Sequence, residues 1–103
     1  MPYEVMLSPR ARRVLDRLSP SERDAVLVAL EHDLDTREAI AERIEADGRT
    51  YLHAPLVPRH HVLYRPLSDD EVRRLIDEGV LTEQAHHGYA VLSLDRPGRK
   101  VAR

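Results

Sequence analysis

The run Tyr51-Leu52-His53-Ala54-Pro55-Leu56-Val57-Pro58-Arg59-His60-His61-Val62-Leu63-Tyr64-Arg65 reads as a β-hairpin. Two short strands, Tyr51–Pro55 and His60–Arg65, are joined by a loop that carries Pro58. Side chains alternate between the faces of a strand. His61, Leu63 and Arg65 therefore share one face, and His60, Val62 and Tyr64 share the other. Val62 and Tyr64 suit a core covered by helices. That leaves His61 and Arg65 on an open face, which His53 joins from the neighbouring strand. Three of the chain's six histidines and two arginines lie in this run, and no acid does. It is the natural candidate for an anion-binding surface.

Upstream, Tyr3-Glu4-Val5-Met6-Leu7 has strand composition. Ser8-Pro9 then supplies an N-cap and a proline at the first helical position, where its missing N–H costs nothing. The helix that follows, Pro9 to Leu18, buries Ala11, Val14, Leu15 and Leu18. Its outer face carries Arg10, Arg13 and Arg17 as a basic ridge of three- and four-residue spacing. Ser19-Pro20-Ser21-Glu22 repeats the device as a capping box. The second helix turns Val26, Leu27, Leu30 and Leu34 inward, with a break or kink expected at Asp35-Thr36-Arg37-Glu38. Ile40 and Ile44 continue a narrower helical stripe until Gly48, a natural C′ residue. The two helices predict an αα-hairpin.

Downstream, Ser68-Asp69-Asp70-Glu71 is a further capping box. It opens a short helix that buries Val72, Leu75 and Ile76 and stops at Gly79. Residues 80–88 are either a further helical turn or a loop carrying His86 and His87. Tyr89 to Leu94 is the last strand, with Ala90, Leu92 and Leu94 as its inward set. Residues 96–103 form a basic tail. The expected architecture is α+β: a small antiparallel sheet in the order β-α-α-β-β-[α]-β, with a helical hairpin packed on one face. Residues 1–95 make one domain, with 68–88 as an inserted helix and loop.

Composition bounds the function. The 103 residues suffice for a single core. Ala25–Leu30, the longest apolar run, is far too short to cross a bilayer. No charged segment leads into an apolar one as a secretory signal would. Cysteine is absent, which removes disulfides and thiolate metal sites and fits the cytoplasm. The net charge of −2 is segregated: +2 over residues 1–18, −6 over 19–48, +3 over 49–68 and −1 over 69–103. The balance excludes a strongly basic nucleic-acid binder but leaves room for a basic patch on one face. His60-His61 and His86-His87 invite a zinc reading. Adjacent strand residues point to opposite faces, however, so neither pair chelates alone, and no metal or other cofactor is expected.

Element order and motifs together resemble the RelE/ParE superfamily of toxins from bacterial toxin–antitoxin systems. The opening Tyr3-Glu4-Val5 with Ser8-Pro9-Arg10-Ala11 and a leucine-rich first helix is similar to the family's start. Gly48 through Tyr51, into the hairpin ending Val62-Leu63-Tyr64, looks like its central strands. Val91-Leu92-Ser93-Leu94-Asp95-Arg96 looks like its last strand and the arginine after it. The likeness covers about three quarters of the chain. His61 stands where the family usually has arginine, and Leu52 and Ala54 stand where ribonuclease members carry basic residues. Only Val101 and Ala102 lie downstream where a tyrosine or polar residue usually follows the final arginine, and the 68–87 segment is longer than the family's turn.

The resemblance implies a toxin-like module, neutralised by a cognate antitoxin protein, that acts as a translation-linked endoribonuclease on ribosome-bound mRNA. Attack by a 2′-OH needs a base, an acid and cations for the phosphate, and histidine and arginine supply all three near neutral pH. His61 or His53 is the expected acid/base; Arg65 and Arg96 are the expected phosphate ligands. Arg59 and the Arg10, Arg13 and Arg17 ridge are secondary candidates for substrate binding. The alternative is a non-enzymatic member, either a gyrase-directed inhibitor or a catalytically silent interaction module; under either reading a homodimer or hetero-oligomer is compatible with the sequence. A small α+β interaction domain outside the family is a third reading.

Overall fold

The computed structural model describes residues 3–56, 59–82 and 87–95. Its elements run β1 (Glu4–Leu7), α1 (Pro9–Asp16), α2 (Pro20–His32), α3 (Leu34–Arg37), β2 (Glu42–Ala46), β3 (Arg49–Leu56), β4 (His60–Pro66), α4 (Asp69–Asp77) and β5 (Gly88–Asp95). The strands form one sheet in the order β1-β5-β4-β3-β2. β1 lies parallel to β5, and the other neighbours are antiparallel. The α+β class stands; the sheet is mixed and has one strand more than the sequence reading expected.

Three serines start the three longer helices as their spacing predicts. Ser8 Oγ accepts from the Ala11 N–H at 3.0 Å, Ser19 Oγ from Glu22 at 3.3 Å and Ser68 Oγ from Glu71 at 3.2 Å. Each satisfies one of the N–H groups that a helix start leaves without a partner. α1, α2 and α3 pack Ala11, Leu15, Val26, Leu30 and Leu34 against one face of the sheet. That face supplies Leu52, Ala54 and Leu56 from β3, Val62 and Tyr64 from β4, and Tyr89, Val91 and Leu94 from β5. Full burial of Leu30 or Leu34 stabilises the fold by about 1.5–3 kcal/mol each. A second, smaller core lies on the opposite face, where Leu67, Val72 and Leu75 of the α4 region meet Ala90 and Met6.

Three tyrosines tether α3 to the sheet. Tyr3 OH donates to Leu30 O at 2.6 Å and accepts from Leu34 N at 2.9 Å. Tyr64 OH donates to Leu34 O at 2.9 Å. Tyr89 OH donates to Asp35, with Glu38 Oε1 at 3.2 Å. The rings meet edge to face, Tyr3–Tyr89 at 5.0 Å and Tyr64–Tyr89 at 5.3 Å between centroids.

Several expectations are corrected. The Ile40–Ile44 stripe does not extend a helix: 42–46 is the fully exposed edge strand β2. Asp47 (φ 54°) and Gly48 (φ 75°) form a two-residue turn with both φ values positive. That is the turn whose twist matches a β-hairpin, and Asp-Gly is its preferred sequence. Gly48 is thus needed for a positive φ, but between strands and not at a helix end. The helical break comes at Asp33, which caps α2 and starts α3, two residues before the expected place. β3 extends beyond Tyr51–Pro55 at both ends.

In β5 the inward set is Tyr89, Val91 and Leu94, not Ala90, Leu92 and Leu94. A bulge is the reason. Leu63 pairs with Ser93 and Tyr64 with Val91, so Leu92 is passed over and the alternation changes phase. The Leu92 carbonyl accepts from Ser8 Oγ at 2.6 Å, which ties the bulge to the start of α1.

Candidate functional site

The face of β2, β3 and β4 that turns away from α1 and α2 holds the candidate residues. Paired residues in a sheet project to the same side with Cβ atoms about 4.5–5.5 Å apart. Leu52, Ala54, Val62 and Tyr64 are buried under the helices, so their neighbours in sequence face outward. The open face therefore holds Arg49, Tyr51, His53 and Pro55 from β3, with His61, Leu63 and Arg65 from β4. His60 is buried on the helix side, so His60 and His61 diverge.

The histidine pair forms as the alternation predicts. The rings of His53 and His61 meet edge to face, 5.1 Å apart with an interplanar angle of 73°, and both residues are half-buried. Neither histidine stands alone. Glu42 of β2 is the cross-strand partner of His53, and Asp95 of β5 is the cross-strand partner of His61. Each imidazole thus has a carboxylate-bearing neighbour on its own face. The acid-free sequence run becomes a site with two acids, both contributed by other strands.

Arg65 has a different setting. Its Nη1 and Nη2 donate to the two Glu71 oxygens at 2.9 and 2.7 Å, with side chains only 14% and 18% exposed. Glu71 also accepts from the Ser68 N–H at 2.9 Å, closing the capping box of α4. The hydrogen bonds from Arg65 hold the Glu71 carboxyl down at about 2, and those from Glu71 raise the Arg65 guanidinium. Arg65 thereby braces the start of α4 against β4.

The remaining candidates are scattered. Arg59 is exposed in the turn before β4. Arg10, Arg13 and Arg17 are exposed on α1, whose buried residues pack on the helix side, so this ridge lies across the sheet from the histidines. Arg96 and His86 lie outside the described residues. His87 Nε2 is 3.2 Å from Asp35 Oδ1 and 3.3 Å from the Tyr89 hydroxyl, on the helix side. Among the described residues no group of three or more His, Asp or Glu side chains is arranged to hold a metal ion.

Glu42 had a local signal: a two-residue Asp47-Gly48 hairpin sets Ala46 opposite Arg49 and, by counting, Glu42 opposite His53. Asp95 had none, because the β4–β5 register runs through α4 and a bulge. Leu52 and Ala54, where basic residues are missing, are buried under the helices. Their apolar character is a core requirement and says nothing about the open face.

A solved structure with the same architecture belongs to the toxin–antitoxin complex RelBE2 from Mycobacterium tuberculosis. The match covers 93% of this chain and 99% of that one, with a TM-score of 0.61 and 21% sequence identity. The fold is RelE-like. No protein-family model and no curated protein matches the sequence. At this identity the likeness is one of architecture, and the side chains on the open RelE-like face are this chain's own. Two imidazoles side by side, each with a carboxylate across the strand, are suited to taking a proton at one end of a reacting bond and delivering one at the other.

Proposed function

We propose that this RelE-like chain is the toxin of a toxin–antitoxin pair and cleaves mRNA during translation, with a cognate antitoxin neutralising it. The observation that carries the reading is the His53–His61 pair on the open face, with Glu42 and Asp95 across from the two rings. One imidazole removes the proton of a ribose 2′-OH, which attacks the adjacent phosphorus; the other protonates the departing 5′ oxygen, leaving a 2′,3′-cyclic phosphate. The two carboxylates, opposite the rings in register, favour the protonated form of the imidazole that acts as acid. Arg96 is the proposed ligand of the reacting phosphate, and Arg65, four residues along β4 from His61 and held by Glu71, is proposed to meet the RNA backbone further along. The cytoplasm, where mRNA is translated, is the proposed location.

The test is a cell-free translation reaction with purified protein, followed by primer extension on the translated mRNA. Defined cleavage stops are expected with the wild type, and their loss with His61→Ala at unchanged circular dichroism. Intact mRNA in that reaction, with arrested growth and broken DNA on expression in cells, would replace the ribonuclease reading with the gyrase-directed one.

A further inference from the structure

Beside the histidine face lies a cleft of about 530 Å³ between the start of β3, the end of β4 and the start of α4. Its charged lining is Arg49, Arg65, Arg74 and Glu71, with Thr50 and Ser68 adding hydroxyls. Three guanidiniums therefore face one carboxylate, and that carboxylate is held by Arg65. Arg49 and Arg74 are exposed and make no ion pair among the described residues. Arginines that converge on a concave surface without a protein counter-ion suit an anion with several oxygens, which the guanidinium binds through paired N–H groups.

Strand geometry relates the cleft to the histidines. Arg49 and His53 are four residues apart on one face of β3, and Arg65 and His61 are four apart on the same face of β4. Each separation is about 13 Å at the rise of a strand. A single nucleic-acid strand covers that distance in about three or four nucleotides at the stacked spacing of 3.4 Å. Between the two ends lie Tyr51 and Leu63, both half-buried on the open face. An aromatic ring beside a basic groove is a platform on which an unpaired base stacks. An acidic peptide would use the arginines but has no call on Tyr51.

We propose that the Arg49–Arg65–Arg74 cleft is a backbone-phosphate subsite for single-stranded RNA, three or four nucleotides from the bond presented to His53 and His61. Arg49 and Arg74 bind the phosphate, and Arg65, oriented by Glu71, lines the floor. The proposal rests on the ribonuclease reading for its choice of RNA, whereas the cleft itself rests on the arginines alone.

The experiment is fluorescence anisotropy with a fluorescein-labelled 12-nucleotide single-stranded RNA, 2′-O-methylated so that it is not cut, titrated at several salt concentrations. The Arg49→Ala/Arg74→Ala variant, which spares the Arg65–Glu71 brace, is expected to bind at least about tenfold more weakly. The slope of log affinity against log salt should fall in magnitude by about 0.7, the contribution of one neutralised phosphate on a single strand. Wild-type affinity and slope in the arginine variant would overturn the subsite, even if the wild type cuts mRNA in translation. A polyglutamate peptide that binds the wild type and loses the same tenfold in the arginine variant, with RNA binding unaffected, would assign the cleft to an acidic partner and overturn the RNA assignment. Weakened RNA binding by the variant together with uncut mRNA would leave the subsite standing and remove the ribonuclease reading.

Discussion

Glu42 stands directly across the β2–β3 pair from His53, on the face of the sheet that α1 and α2 leave open. The pairing joins an edge strand with no buried residue to the proposed reaction centre. It gives β2 a purpose that burial alone does not.

If the carboxylate acts through the ring, the two residues are energetically coupled. His53→Ala is expected to slow mRNA cleavage by about 10²–10⁴-fold, the usual worth of a general acid or base. Glu42→Gln should cost less by itself and nothing further in the His53→Ala background, because its partner is already gone. A double-mutant cycle on cleavage rates reads this directly. Additive losses would separate Glu42 from His53.

The Arg65–Glu71 pair predicts an acid-sensitive step in stability. Glu71 is held at about 2 by Arg65, below the ordinary carboxylate range. A lowered value means the stabilisation is present above that range and is lost as the pH falls from about 5 toward 2. Glu71→Gln keeps a residue suited to the capping box but removes the charge. Urea unfolding at pH 7 should show the variant about 1–3 kcal/mol less stable than wild type, after allowance for partial solvent screening. The gap should close on acidification. A gap independent of pH would mean that the ion pair contributes little.

The tyrosine tether predicts the opposite sign at high pH. Burial pushes the Tyr64, Tyr89 and Tyr3 phenols above their ordinary value, with the neighbouring Asp35 adding to the effect at Tyr89. A raised value means that stability is complete below pH 10 and falls as the pH climbs beyond it, since only the unfolded chain ionises readily. An absorbance titration should show these three of the four tyrosines ionising together with unfolding. Tyr64→Phe should cost about 0.5–1.5 kcal/mol, the net worth of one hydrogen bond, because the Leu34 carbonyl keeps the Glu38 N–H at 3.1 Å.

Gly48→Ala tests the β2–β3 turn. The position has φ 75° and open space around a new Cβ, so strain in the backbone is the whole effect. The expected loss is about 1–2 kcal/mol, or roughly 4–16 °C in Tm for a chain of this size. Cleavage should fall too if the turn keeps Glu42 in register with His53. A variant with wild-type Tm would contradict the turn.

Much of the molecule was legible because its signals are local. Ser8, Ser19 and Ser68 announce helices through the hydrogen bond each makes three residues on. Alternation in His60–Arg65 separates the buried Val62 and Tyr64 from the half-buried His61 and Arg65 without reference to any other element. Those signals also placed His53 and His61 on one face, where their rings meet.

Four features were decided only by the tertiary structure. Residues 42–46 have helical spacing in Ile40 and Ile44, yet they become a strand because β3 offers an open ladder and Asp47-Gly48 turns the chain onto it. The phase of β5 changes at Leu92 because a bulge lets both Val91 and Leu94 reach the core. Arg65 acquires Glu71 once α4 packs back over the sheet. Asp95 meets His61 through a register that passes across that helix and that bulge. Local hydrogen bonds and a two-residue period determine most of the elements and the faces their side chains take, and the Asp47-Gly48 turn sets Glu42 opposite His53 once β2 pairs with β3; the strand state of 42–46 and the acid opposite His61 depend on pairings that only the packed sheet specifies.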